Sequence, residues 1–165
     1  MSLTPHSSHF ITPKTWLYVK ILCFSLMSTT YYAINHDMNL IRFFSLEPRA
    51  IKVFSFGRDV DSYSEDLLQN RRVIEHGKHY VKMVDRAIDL LGPDIELLTE
   101  ILLELGKQHE RLGVEASYYP PMQEALLQTL SELLGDRFSE AVRAAWVKVY
   151  KELADDMIRA IANEK

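Results

Sequence analysis

The chain has 165 residues, 47% of them hydrophobic and 25% charged, enough apolar material for one domain with a buried core. A formal charge of −4 excludes the basic stripe of a nucleic-acid binder, so no nucleic-acid partner is expected. A single cysteine, Cys23, excludes an internal disulfide framework and fits a reducing compartment, with the cytoplasm as the expected location.

Residues 1–41 read as an atypical N-terminal segment and 42–165 as the ordered domain. Met1 to Pro13 is polar and is expected to be disordered. Residues 16–34, WLYVKILCFSLMSTTYYAI, are apolar but broken by Lys20 and several hydroxyl residues. The stretch is near the minimum length of a membrane span, carries an internal lysine and lacks a clean small-residue cleavage site. A buried helix is the preferred reading, and membrane contact through 16–34 is the alternative.

The later apolar segments are rich in Leu, Ala, Glu, Arg and Lys, which favours helix. FFSLEPRAIKVFSF ends one helix and turns, with Pro48 suited to the first turn of the next. Asp59 to Gln69 is a loop or a single short turn. Arg71 to Leu91 is an amphipathic helix stopped by Gly92-Pro93. Glu96 to about Arg111 is another, ending at Gly113, and Tyr118 to Leu134 is a third, ending at Gly135. The last runs from about Ser139, a plausible N-cap, to the C-terminus. No run alternates in the manner of a strand, so the fold is expected to be all-α.

Two histidines interrupt this pattern. Leu98, Leu102, Leu105 and His109 fall at i, i+4, i+7 and i+11, so His109 continues a leucine face. Burying an imidazole there is unfavourable unless both nitrogens are satisfied. A metal would satisfy one while the other donates to an oxygen. A partly exposed histidine favoured by the helix C-terminus explains the same residue without a metal. On the preceding helix His76, Tyr80, Met83, Ala87 and Leu91 share a face, again headed by a histidine, with Gly77 allowing a close neighbour. A core-edge histidine explains His76 equally well on its own. Together the two helices can clamp a flat apolar cofactor between facing imidazoles, as in haem pockets. His76-x-x-His79 lacks the glutamate and spacing of a zinc protease motif.

These residues, in this order, resemble the globin family, and its neuroglobin-like or single-domain invertebrate and microbial members most of all. Five stretches spanning roughly Phe43 to Ala162 carry the resemblance. FFSLEPRAIKVFSF is similar to the end of the B helix, the C helix and the following corner. EHGKHYVKMVDRAIDLL resembles the E helix and LLELGKQHERLGV the F helix. SYYPPMQEALLQTLSELLG is similar to the G helix and FSEAVRAAWVKVYKELADDMI to the H helix. The resemblance implies a globin fold with a haem b pocket between the E and F helices. It implies His109 as proximal iron ligand and His76 as the distal histidine. Phe54 would wedge against the ring, with Leu102 and Leu105 on the proximal side and Val114 at the corner. Tyr119 and Met122 would line the inner edge, and Leu40 would cap the distal side.

The chain departs from the family pattern in several places. Tyr80 stands where many globins have valine, so its phenol either donates to bound ligand or crowds the site. Phe56 replaces a tyrosine of some neuroglobins, and His79 replaces a lysine that often binds a propionate, a role His79 can take. The A helix with its tryptophan motif, and most of the B helix, are not recognisable in 1–41, so the N-terminal A/B region is atypical or replaced. The resemblance implies reversible binding of dioxygen or another diatomic gas, with His76 free to serve as a sixth iron ligand. Nitric oxide dioxygenation or nitrite reduction is the enzymatic alternative and would need an external reductase. A helical module that has lost haem is the third.

Overall fold

The computed structural model describes residues 17, 19–20, 36–54 and 66–162. Among them the secondary structure is helical throughout, with no strand, as the composition predicts. Most of the 1–41 segment lies outside the described residues, and so do Phe56 and the first part of the predicted 59–69 loop. No helix among the described residues is long and apolar enough to cross a membrane.

Helix α1 spans His36–Leu46 and so runs through the boundary drawn at 41/42. Leu40, Phe43 and Phe44 lie at helical spacing and are buried, which gives α1 a core face. A 3-10 turn over Pro48–Val53 follows, with proline in its first turn and Ala50 and Ile51 buried. Helix α2 is the single turn Asp66–Gln69. Helix α3, Arg71–Leu90, starts at Asn70, whose side chain accepts a hydrogen bond from the Arg72 amide at 2.9 Å. Helix α4, Ile95–Arg111, starts in the same way at Asp94, which accepts from the Leu97 amide at 3.0 Å. Both caps satisfy amides that a helix N-terminus leaves without partners.

The stops fall where the sequence places them. After α4, Gly113 takes φ +86°, a left-handed conformation that side chains disfavour, and Gly135 at φ +51° ends α5. Helix α5, Tyr119–Leu134, carries prolines in its first turn, where no intrahelical amide is needed. Helix α6, Glu140–Ala162, begins after Ser139, whose hydroxyl accepts from the Val142 amide at 3.4 Å and whose carbonyl accepts from Arg143.

Helices α5 and α6 form the main core around Trp146, Val149, Leu127 and Leu130, with Ile88 of α3 and Val19 packed into it. A second cluster joins α1 to Val73, Tyr118 and Ala125. A third joins Ala87 of α3 to Leu98 and Leu102 of α4. Helix α4 lies hard against α6: a Cβ on Gly106 would stand 2.4 Å from the Met157 carbonyl oxygen and 2.9 Å from its Cα. Only glycine permits that approach, and it fixes the turn from which His109 projects. Arg42 pairs with Glu132, tying α1 to α5.

Candidate functional site

The clusters leave between them a cavity of about 400 Å³ with almost entirely apolar walls. Every residue expected in the site borders it: Phe54, His76, His79, Tyr80, Leu102, Leu105, His109, Val114, Tyr119 and Met122, together with Leu40. A volume of this size suits a sizeable flat organic group far better than a single ion.

His109 reaches the cavity from the last turns of α4. Its ring is largely buried, and the Nδ1–H donates to the Leu105 carbonyl one turn back, at 2.8 Å. That bond selects the tautomer in which Nε2 carries a lone pair. Burial pushes the His109 pKa down, and the bond to Leu105 only partly opposes this. The imidazole is therefore neutral at physiological pH, as a metal ligand must be. An exposed histidine serving the helix end would have neither this burial nor this bond.

His76 enters from α3. Its pKa is lowered chiefly by burial and further by the charge that His109 and His79 would carry. The two inner histidines thus feel one another across the cavity. The Phe54 ring meets His76 edge-to-face, with centroids 4.8 Å apart and planes at 87°. Phe54 is held in turn by Phe44, at 5.2 Å and 83°, and Phe44 is fully buried on α1. A ladder of rings therefore fixes His76 from the first helix. His79, one turn further along α3, is exposed at the cavity edge. Among the described residues no three His, Cys, Asp or Glu side chains converge; the imidazoles that border the cavity are His76, His79 and His109.

Among the described residues the hydroxyl oxygens of Tyr80 and Tyr119 are buried without a hydrogen bond of ordinary geometry. Burial raises the Tyr119 pKa to about 12 and raises that of Tyr80 further. Tyr150 donates to the Tyr119 carbonyl at 3.1 Å and so pins α6 to the start of α5 beside the cavity.

The α6 wall was not foreseen. Tyr150, Leu153, Ala154 and Met157 border the cavity at i, i+3, i+4 and i+7. The spacing is legible, but an apolar stripe on a helix is normally core and carries no sign of a ligand. Phe43, Val53, Val84 and Tyr118 join the wall for the same reason.

Residues 38–157 match the family model described as Globin. Curated relatives include neuroglobin of Tetraodon nigroviridis and neuroglobin of Danio rerio. Each is 29% identical over 121 residues, covering 73% of this chain and 75% of the relative. Neuroglobin-2 of Oncorhynchus mykiss is 30% identical over the same shares. The family match opens just before Leu40, the first of the described residues to border the cavity, and ends on Met157, the last of them. It thus takes in all the described residues that border the pocket: the chain belongs to the globin family and is similar to the neuroglobins.

Proposed function

We propose that this globin binds haem b with His109 as the proximal iron ligand and His76 on the opposite side, and reversibly binds dioxygen or another diatomic gas. Globins are haem proteins that bind such gases, and the residues here suit that group. The observation that carries the reading is the pairing of His109 Nδ1–H with the Leu105 carbonyl, which leaves Nε2 as the only free donor atom of that ring. A second buried imidazole on α3, His76, with its pKa also lowered by burial, and largely apolar lining support the same reading.

When bound, haem supplies the iron to which the gas attaches. The chain's own groups do the rest. Leu102 and Leu105 would pack on the proximal side of the group and Val114 and Met122 along its edge, keeping water out, while Phe54 would wedge against the ring. His76 would serve either as a hydrogen-bond donor to the bound gas or as a sixth iron ligand that the gas must displace. In the second case apparent affinity falls to the intrinsic affinity multiplied by the fraction of time His76 is detached. His79, exposed at the rim, would be the residue to pair with a propionate. The cytoplasm is the proposed location, on the strength of the single Cys23.

The test is spectroscopic. The full chain, loaded with haemin, is recorded in ferric, ferrous and carbonyl forms beside His76→Leu and His109→Ala. A bis-histidine ferrous spectrum that becomes five-coordinate only in His76→Leu supports the sixth-ligand role. Absence of a Soret band in the wild type, or unchanged spectra in His109→Ala, overturns the reading. Nitric oxide or nitrite turnover with an added reductase would move the protein to the enzymatic alternative.

A further inference from the structure

The main core contains a residue from outside the stretch that matches the family. Val19 is fully buried there, among Ile88 of α3, Leu127 of α5 and Trp146 of α6, although the match opens only at residue 38. Residues 17, 19 and 20 are in helical conformation, and their side chains part in direction. Val19 points into the core, Leu17 stays half-exposed, and Lys20 reaches Asp89 of α3, with its Nζ 3.3 Å from the carboxylate. The apolar contact sets the depth at which this segment lies, and the ion pair sets its register along α3.

The cluster that receives Val19 also backs one side of the cavity. Tyr80, Val84, Tyr150 and Leu153 pack against it and border the cavity as well. The two anchors differ in strength. Val19 is removed from water entirely, which stabilises its seat. Both ends of the Lys20–Asp89 pair are about half-exposed, so solvent and salt screen it. A segment that rests on one apolar side chain and one screened pair, among the described residues, opens locally before the larger core does.

We propose that the chain around Val19 is a strap across α3, α5 and α6 that keeps the adjoining side of the cavity closed. When the strap lifts, the cluster behind Val84, Tyr150 and Leu153 loses a member, and those residues gain room to move apart. The cavity then opens on the side away from α1 without unfolding of the whole domain. Anything that pulls this segment from its seat would thereby control access to the cavity.

Amide hydrogen exchange on the full chain reads such local opening, and the fluorescent probe anilinonaphthalene sulfonate reports the apolar surface it exposes. Val19→Ala keeps the seat apolar and removes two buried methyl groups, so exchange in residues 84–90 of α3 and 146–153 of α6 should speed roughly tenfold. Val19→Asp, which drives the strap out, should exceed that and raise probe emission. Helix α1 packs in a separate cluster and should change little in Val19→Ala. Unchanged exchange in α3 and α6 for Val19→Ala overturns the proposal. So does a rise of equal size in α1, because the whole fold would then be loosening. Faster exchange in Val19→Asp without probe uptake overturns the strap's hold on the cavity. If Val19→Asp does not fold, the exchange and probe readings on Val19→Ala decide the matter alone. None of these readings depends on haem, whose binding is judged on the Soret band.

Discussion

The ring of His109 is oriented by Leu105, whose carbonyl accepts the Nδ1–H at 2.8 Å from one turn back on the same helix. The bond is built into the helix itself, since residues four apart lie one above the other. A partner on another element would move whenever that element moved; this one cannot. The orientation of Nε2 is therefore a local property of α4 and is expected to survive changes elsewhere in the pocket.

A first prediction follows for the ligand role. His109→Gly removes the imidazole while leaving space for a free one. Haem affinity should fall by more than the roughly 10–100-fold typical of losing a ligand's hydrogen-bond partner, and millimolar imidazole should restore the Soret band. A structural histidine would show loss of thermal stability without rescue by imidazole.

Gly106 allows a test of how α4 is held. Alanine is favoured over glycine inside a helix by about 1 kcal/mol, so helix propensity alone predicts that Gly106→Ala stabilises. Steric contact predicts the reverse, because the new Cβ would meet the Met157 carbonyl oxygen at 2.4 Å and the Ala160 Cβ at 2.9 Å. Two of the three nearest atoms are backbone and cannot swing aside. Overpacking of a tight interior costs about 1–3 kcal/mol, and here the backbone contact puts the cost at the upper end. Gly106→Ala should therefore lower stability by a net ~1–2 kcal/mol in urea titrations and weaken haem binding, as α4 backs away from α6. A gain in stability would show that the two helices are not in tight contact.

Much of this arrangement is legible in the sequence because its signals are local. Gly92-Pro93, Gly113 and Gly135 mark helix ends by backbone chemistry alone, and the leucine face leading to His109 follows from a period of 3.6. What could not be read depends on partners distant in sequence. Nothing in the text around Gly106 says that Met157 lies against it, and a glycine within a helix normally signals only a weak point. Tyr150, Leu153, Ala154 and Met157 form a stripe that would look identical had it packed on another helix. Asn39 is the clearest case. It falls in a stretch with no recognisable motif, and its burial against α3 is visible only once α1 has been placed.

The facing histidines also set a pH dependence for the haem-free chain. Both have folded-state pKa values below the ordinary 6.5, chiefly because of burial. Between the folded and unfolded values the unfolded chain binds protons that the folded chain does not, so stability rises with pH across that window. It is complete above about 6.5 and declines as pH falls toward the lowered folded values. Urea midpoints should therefore drop between pH 7 and 5.5, above the range in which carboxylates titrate. A His76→Gln/His109→Gln double variant should flatten that drop. A slope of the same size in the double variant would assign it to other groups.

Tyr80 supplies the last prediction, through a probe that senses polarity at the gas-binding face. In the haem-loaded carbonyl form, the C–O stretching frequency responds to donors that approach the bound ligand. Tyr80 borders the cavity, while its buried hydroxyl interacts with the Asn39 amide of α1. Tyr80→Phe should accordingly leave the frequency where it is, and His76→Leu should shift it. Tyr80→Val removes the ring as well, and with it the wall beside His76. That variant should broaden the carbonyl band into several components, as ligand and histidine gain room. If Tyr80→Phe instead shifted the band as far as His76→Leu does, the phenol would be a direct donor to the ligand, turned away from α1 and toward the iron.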